Sequence, residues 1–243
     1  MKVIVLNNYE EVSSKAFEIL KEVLDFNPKA VLGLATGSSP IGLYEHLIKY
    51  HNEGFDFSNI TSFNLDEYIG ISKEHPQSYH YFMQENLFKH ININANNIYL
   101  PDGLGDDLEA NCKKYDELLN KYQIDVQILG IGSNGHIGFN EPGCDFKATT
   151  NIVKLKDKTR EDNKRFFNSL EEVPTHAITM GIKSIMAAKK IILIATGENK
   201  AKAIKAMIEN EVNNEVPATI LSKHEDVVVI IDKKAASLIN YNE

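Results

Sequence analysis

Four short stretches hold the residue types and spacings that could do chemistry. Ala35-Thr36-Gly37-Ser38-Ser39-Pro40 stands between an apolar run and a helical periodicity. Hydroxyls, a flexible glycine and amides at a helix start together form an anion cradle, with Thr36, Gly37, Ser38 and Ser39 as its candidate residues. A plain capped turn is the simpler alternative. The Gly-Lys-Ser/Thr ending of a nucleotide triphosphate loop is missing, so such a ligand is not expected. In Asn64-Leu65-Asp66-Glu67-Tyr68, two adjacent acids lie on an extended segment and point to opposite sides, so at most one faces a crevice. A carboxylate placed there can act as a general base, although an aspartate can also simply cap the next turn.

The third stretch runs from Gly130 to Pro142, and its first six residues satisfy G-x-G-x-x-G after a strand. A dinucleotide fingerprint should open a long helix in the first βαβ unit, whereas Gly138, Pro142 and Gly143 break this segment and it follows a late strand. What remains is a loop presenting Asn134, His136 and Glu141 close together. A loop histidine with a carboxylate nearby suits a proton shuttle whose tautomer a second group fixes. The fourth feature is a pair of cations, Arg165 in Lys164-Arg165-Phe166-Phe167 and Lys200 in Gly197-Glu198-Asn199-Lys200. Arg165 could grip a phosphate as a fork and Lys200 as a point charge, against the ordinary alternative of solvated surface.

Elements that could hold these groups alternate along the chain. Apolar runs at Lys2–Leu6, Ala30–Ala35, Ile60–Leu65, Val126–Ile131, Ile191–Thr196 and Val227–Ile231, with a weaker one near His176–Met180, read as buried parallel strands. Helical periodicities fall between them at Glu10–Phe26, Ile41–Glu53, Gln77–His90, Asp107–Tyr122, Thr159–Leu170, Ile182–Lys189, Lys200–Asn210 and Lys233–Ile239. Ser39-Pro40 and His75-Pro76 read as helix starts. Strand then helix, repeated, predicts an α/β fold: one domain over residues 1–243, a doubly wound, mostly parallel sheet flanked by helices.

Composition bounds the function. The 243 residues are 43% hydrophobic and 25% charged, ordinary for a folded cytosolic protein. A formal net charge of −8 without a long Lys/Arg run argues against nucleic acid or an anionic membrane as partner, but not against a small anionic metabolite. No signal peptide or apolar run of roughly 20 residues is evident, so the expected location is cytoplasmic. Cys112 and Cys144 are too few for a zinc cluster or a disulfide scaffold and read as reduced thiols. The expectation is an enzyme that binds a small phosphorylated sugar and moves protons on it with side chains, without metal or other cofactor.

Together, Leu34–Pro40, Phe63–Tyr68, Gly135–Pro142 and Lys164–Phe167 resemble, in order and across nearly the whole chain, the motifs of glucosamine-6-phosphate deaminases. The resemblance implies a modified Rossmann-like fold and conversion of glucosamine 6-phosphate and water to fructose 6-phosphate and ammonia. By position, Asp66 matches the base at the sugar's C2, His136 the ring-opening acid/base and Glu141 the carboxylate that orients it. Ser38, Ser39, Arg165 and Lys200 match the phosphate site. Asn134 departs from the family's aspartate: an amide still orients an imidazole but brings no charge. The related 6-phosphogluconolactonases share the phosphate loop and the Gly-His pair, but the Asp66-Glu67-Tyr68 and Phe139–Pro142 segments favour the deaminase. A non-catalytic sugar-phosphate sensor is the third alternative, though such proteins usually carry a DNA-binding segment and this chain begins directly with a strand. The larger family members are allosteric hexamers with a longer C-terminal region. A chain ending at Glu243 is therefore expected to be a monomer or small homo-oligomer with hyperbolic kinetics.

Overall fold

A computed structural model describes residues 1–241 of the chain. Among the described residues, the strands are β1 (Lys2–Leu6), β2 (Val31–Leu34), β3 (Thr61–Asn64), β4 (Asp66–Tyr68), β5 (Ile98–Tyr99), β6 (Val126–Leu129), β7 (Asn151–Lys154), β8 (His176–Thr179), β9 (Lys190–Ala195) and β10 (Val227–Asp232). The α-helices are α1 (Tyr9–Phe26), α2 (Ile41–Asn52), α3 (Tyr79–Asn86), α4 (Leu108–Leu119), α5 (Asp157–Asn163), α6 (Ile182–Ile185) and α7 (Ala201–Glu209).

Seven strands form one sheet in the order β1-β10-β9-β6-β2-β3-β5, and every pairing in it is parallel. The chain winds outward from β2 through β3 to β5, then returns to the other side of β2 and winds through β6 and β9 to β10. The order therefore reverses between β2 and β6, where the loops leaving the carboxyl ends of neighbouring strands diverge and open a crevice. Strands β2, β6 and β10 are buried along their whole length, as uninterrupted apolar runs in a sheet covered on both faces must be.

The His176–Met180 run does not join that sheet, contrary to the sequence expectation. It forms β8, the centre of a separate antiparallel sheet ordered β4-β8-β7. Strands β4 and β7 escaped the sequence reading because they are short and mostly polar, and their pairing is non-local. Leu65 is the hinge between the sheets: its N–H donates to Leu34 O of the large sheet at 3.1 Å, and its carbonyl accepts from Met180 N at 2.7 Å. Asp66 thus begins a new strand directly over the carboxyl end of β3.

Local chemistry sets the helix starts. Asn8 caps α1 by accepting from Glu11 N at 2.9 Å, while the Glu11 carboxylate reaches back to Asn7 N at 3.0 Å. Helix α3 begins at Tyr79, later than His75-Pro76 suggests, because Ser78 is the cap and the buried Glu67 takes the next amides. In α2, Pro40 occupies the cap position, and Ser39 turns toward the crevice instead of capping. Two expected helices are shorter: α5 ends at Asn163 in a 3₁₀ turn over Lys164–Phe166, and α6 is one turn. Lys233–Ile239 forms successive turns in place of a helix, begun by the Asp232 carboxylate accepting from Ala235 N at 2.7 Å. Both cysteines are free thiols.

Candidate active site

A cavity of about 380 Å³ opens where the strand order reverses. Its walls come from the loops after β2, β3, β6 and β9, together with the start of α3 and the segment around α5. The sequence stretches singled out for chemistry meet here. Thr36, Gly37, Ser38, Ser39, Asp66, His136, Arg165 and Lys200 all line the cavity, whereas Asn134 and Glu141 stand behind His136.

One end is built for an anion. The 36–39 loop curves past Gly37, whose φ of 89° glycine adopts at little cost. Tyr9 of α1 braces this loop from below: its hydroxyl donates to Ser38 O at 3.0 Å and accepts from Gly42 N at 2.7 Å. The exposed Arg165 guanidinium lies over the Phe166 ring and reaches Ser38 Oγ at 3.4 Å. Lys200 sits half-buried just before α7, on a turn fixed by the Asp232 carboxylate, which accepts from Gly197 N at 3.0 and 3.1 Å. Burial pulls the Lys200 ammonium below its usual range, Asp162 opposes that shift, and Arg165 and Lys158 add to it. A cation destabilised in this way gains from an incoming anion.

The other end holds a carboxylate and an imidazole. Asp66 is 6% exposed, and its carboxyl is pushed up to about 8 by burial and then by the charge of Glu67, with the Phe139 amide acting the other way. Glu67 points to the opposite face, as adjacent strand residues must. Its two oxygens accept from Tyr68 N, Tyr79 N, His80 N and His80 Nδ1 at 2.8 to 3.1 Å, so it ties β4 to the first turn of α3. The base candidate and the α3 wall are therefore fixed to one another.

His136 is held from behind. Asn134 Oδ1 lies 2.7 Å from His136 Nδ1, Asn134 Nδ2 donates to Glu141 Oε2 at 2.9 Å, and Glu141 stands 3.6 Å from Nδ1. Burial alone would raise the Glu141 carboxyl, but the neighbouring His136, then Thr159 and Asn134, bring it down to about 2. The glycine spacing acquires its own reason here. A Cβ on Gly132 would lie 2.2 Å from the imidazole Cε1, so that position is reserved for the histidine ring and not for a pyrophosphate.

Several lining residues were not singled out in the sequence as members of the site, although Tyr68, Phe139 and Phe167 lie within its motifs. Tyr68, Tyr79, Phe139 and Phe167 form an aromatic wall with ring centroids 4.9 to 5.9 Å apart. Asn163 Nδ2 donates to Tyr68 Oη at 3.0 Å, pinning the end of α5 to that wall. Asp162 lies among the cations and accepts from Ser133 Oγ at 2.7 Å. These residues converge only through the pairing of β4 with β8 and the path of α5. Among the described residues, no three His, Cys, Asp or Glu side chains gather as metal ligands, and no helix is long and apolar enough to cross a membrane.

Comparison with known proteins gives consistent matches. Residues 8–230 fit the family model described as glucosamine-6-phosphate isomerases/6-phosphogluconolactonase. A glucosamine-6-phosphate deaminase of Thermoanaerobacter sp. (strain X514) is 58% identical over 98% of this chain and 95% of its own length. One from Clostridium botulinum (strain Loch Maree / Type A3) is 53% identical over 99% of each chain. A solved structure described as a monomeric glucosamine-6-phosphate deaminase superposes with a TM-score of 0.96 at 46% identity, covering 98% of this chain and 100% of the other. A 6-phosphogluconolactonase from Trypanosoma brucei shares the fold with a TM-score of 0.82 at 18% identity, covering 98% of both chains.

Proposed function

The chain belongs to the family of glucosamine-6-phosphate isomerases and 6-phosphogluconolactonases, and within it we propose that this protein is a glucosamine-6-phosphate deaminase, converting glucosamine 6-phosphate and water to fructose 6-phosphate and ammonia. The observation that carries the reading is the shared cavity: an anion cradle at one end, with Asp66 and His136 at the other. The relatives that are 53 to 58% identical over full length support the deaminase, whereas the lactonase is only 18% identical.

In this reading the 36–39 loop, Arg165 and Lys200 hold the substrate phosphate and so fix where the sugar carbons lie. His136 takes the proton from the C1 hydroxyl and returns one to the ring oxygen as the C1–O5 bond breaks, leaving an aldehyde at C1. Asp66 then removes the acidified C2 proton, O1 takes a proton, and an enolamine forms. Asp66 delivers its proton to C1, which yields an imine at C2. Water adds there and ammonia leaves, so the atoms balance. A carboxyl poised near 8 suits both halves of this transfer, because it is a stronger base than an ordinary aspartate and still ionises near neutrality.

The partner is the sugar phosphate, encountered in the cytoplasm. A monomeric state is supported by the solved relative described as monomeric, and hyperbolic kinetics are expected to accompany it. The test is ammonia release from glucosamine 6-phosphate, run beside hydrolysis of 6-phosphogluconolactone. The expected result is ammonia and no lactone hydrolysis, with Asp66→Asn abolishing turnover while phosphate-dependent binding persists. Full turnover by Asp66→Asn would remove Asp66 as the base, and lactone hydrolysis without ammonia would replace the deaminase with the lactonase.

A further inference from the structure

A carboxylate stands among the groups that would hold the phosphate. Asp162 lines the same cavity as Arg165, Lys200 and the 36–39 loop. Its Oδ2 accepts from Ser133 Oγ at 2.7 Å and its Oδ1 from Lys158 Nζ at 2.7 Å, so the side chain is aimed and held. Burial would raise this carboxyl, but Lys158 and Ser133, followed by the charge of Lys200, keep it below the usual range and therefore ionised. The interaction is mutual, since Asp162 also counters the loss of charge that burial imposes on Lys200. A phosphate dianion entering this end meets Arg165, Lys200 and a fixed anion whose other oxygen is engaged by Lys158.

We propose that Asp162 is a resident counter-anion of the phosphate subsite, which offsets part of the field of Lys200 and Arg165 and thereby weakens the hold on every phosphate that enters. This rests on the reading of the cavity as a sugar-phosphate site and deepens it by naming a residue that sets its affinity. A weaker grip on the phosphate lowers ground-state and transition-state binding alike, so it raises KM. It weakens inorganic phosphate by the same factor, so free phosphate occupies the site less at a given concentration. The Ser133 bond adds a second consequence. Ser133 adjoins Asn134 on the loop carrying His136, so the carboxylate is fixed by the loop that positions the imidazole.

The experiment is titration of the protein with inorganic phosphate at pH 8 by calorimetry, together with KM for glucosamine 6-phosphate, in the wild type, Asp162→Asn and Ser133→Ala. Asn keeps the shape, can accept from Lys158 through its oxygen and donate to Ser133 Oγ through its nitrogen, but removes the charge. Asp162→Asn is expected to bind inorganic phosphate about three- to tenfold more tightly and to lower KM in the same direction, with the difference shrinking in 1 M salt. Ser133→Ala keeps the charge and is expected not to tighten binding. Weaker or unchanged phosphate binding in Asp162→Asn overturns the proposal and makes the carboxylate a strut. Tightening by Ser133→Ala equal to that of Asp162→Asn overturns it as well, because the charge is then not the cause. The phosphate titration stands apart from catalysis: wild-type protein that binds phosphate but releases no ammonia refutes the deaminase reading and leaves the Asp162 comparison decisive on its own.

Discussion

Asn134 and His136 are joined twice, with the amide oxygen 2.7 Å from the imidazole Nδ1 and 3.2 Å from the His136 backbone nitrogen. The other end of the same amide donates to Glu141 Oε2 at 2.9 Å. An ionised carboxylate only accepts, so the amide oxygen must face the histidine, and Nδ1 must carry a hydrogen. Nε2 is then the nitrogen left free to exchange protons in the proposed reaction. An amide placed between the imidazole and the carboxylate thus fixes the tautomer while the carboxylate acts at one remove.

Replacing Asn134 by leucine removes this acceptor and frees the ring to adopt the other tautomer. The expected result in the ammonia assay is a fall in kcat of about 10²- to 10⁴-fold, the range that correct acid–base placement supplies. KM is expected to stay within a few-fold, since Asn134 stands behind the cavity wall. A kcat above half the wild-type value would show that the amide does not govern the tautomer.

The pH dependence follows from Asp66. A general base acts only when ionised, so kcat/KM is expected to fall about tenfold per pH unit below the Asp66 titration near 8. The charge of Glu67 raises that titration because it penalises a second negative charge beside it. Glu67→Gln should therefore shift the acidic limb of the profile to lower pH. A limb that stays in place, read from a full pH–rate curve, would remove Glu67 as its cause.

The same residue carries a stability cost whose sign can be worked out. Its folded-state carboxyl titrates near 8, above the 3.8 of an unperturbed aspartate, so the folded state disfavours ionisation. The penalty is absent below pH 4, grows as pH rises from 4 to 8, and is constant above. Asp66→Asn should accordingly be more stable than the wild type at pH 9, by an amount on the order of a few kcal/mol, and melt at higher temperature, with the two converging near pH 4. Equal melting temperatures at pH 9 would mean that the carboxyl is not penalised in the fold.

Tyr9 tests the phosphate cradle from outside the cavity. Tyr9→Phe deletes one hydroxyl and with it the bonds to Ser38 O and Gly42 N. The expected effects are a several-fold rise in KM, a smaller change in kcat, and a stability loss of about 1 kcal/mol. Steady-state kinetics and denaturant unfolding measure both, and an unaltered KM would show that the loop holds its shape without this brace.

The primary chain determined the frame and the chemical inventory. Uninterrupted apolar runs such as Val227–Ile231 can be satisfied only in a sheet covered on both faces, and the broken glycine segment after Leu129 could not continue as a helix. The hydroxyl loop, Asp66, His136 and the two cations were therefore legible, because each is defined by residue type and by its place after a strand. Their convergence was not. It depends on Leu65 leaving one sheet for another, on β4 pairing with β8 more than a hundred residues away, and on α5 ending early so that Asp162 and Arg165 reach the anion end. Those contacts are long-range, and local sequence carries little information about a hydrogen bond whose partner is distant in the chain. The tertiary structure alone decided which carboxylates are raised, which are lowered, and which one faces the cavity, since burial and neighbouring charge exist only once the chain is packed.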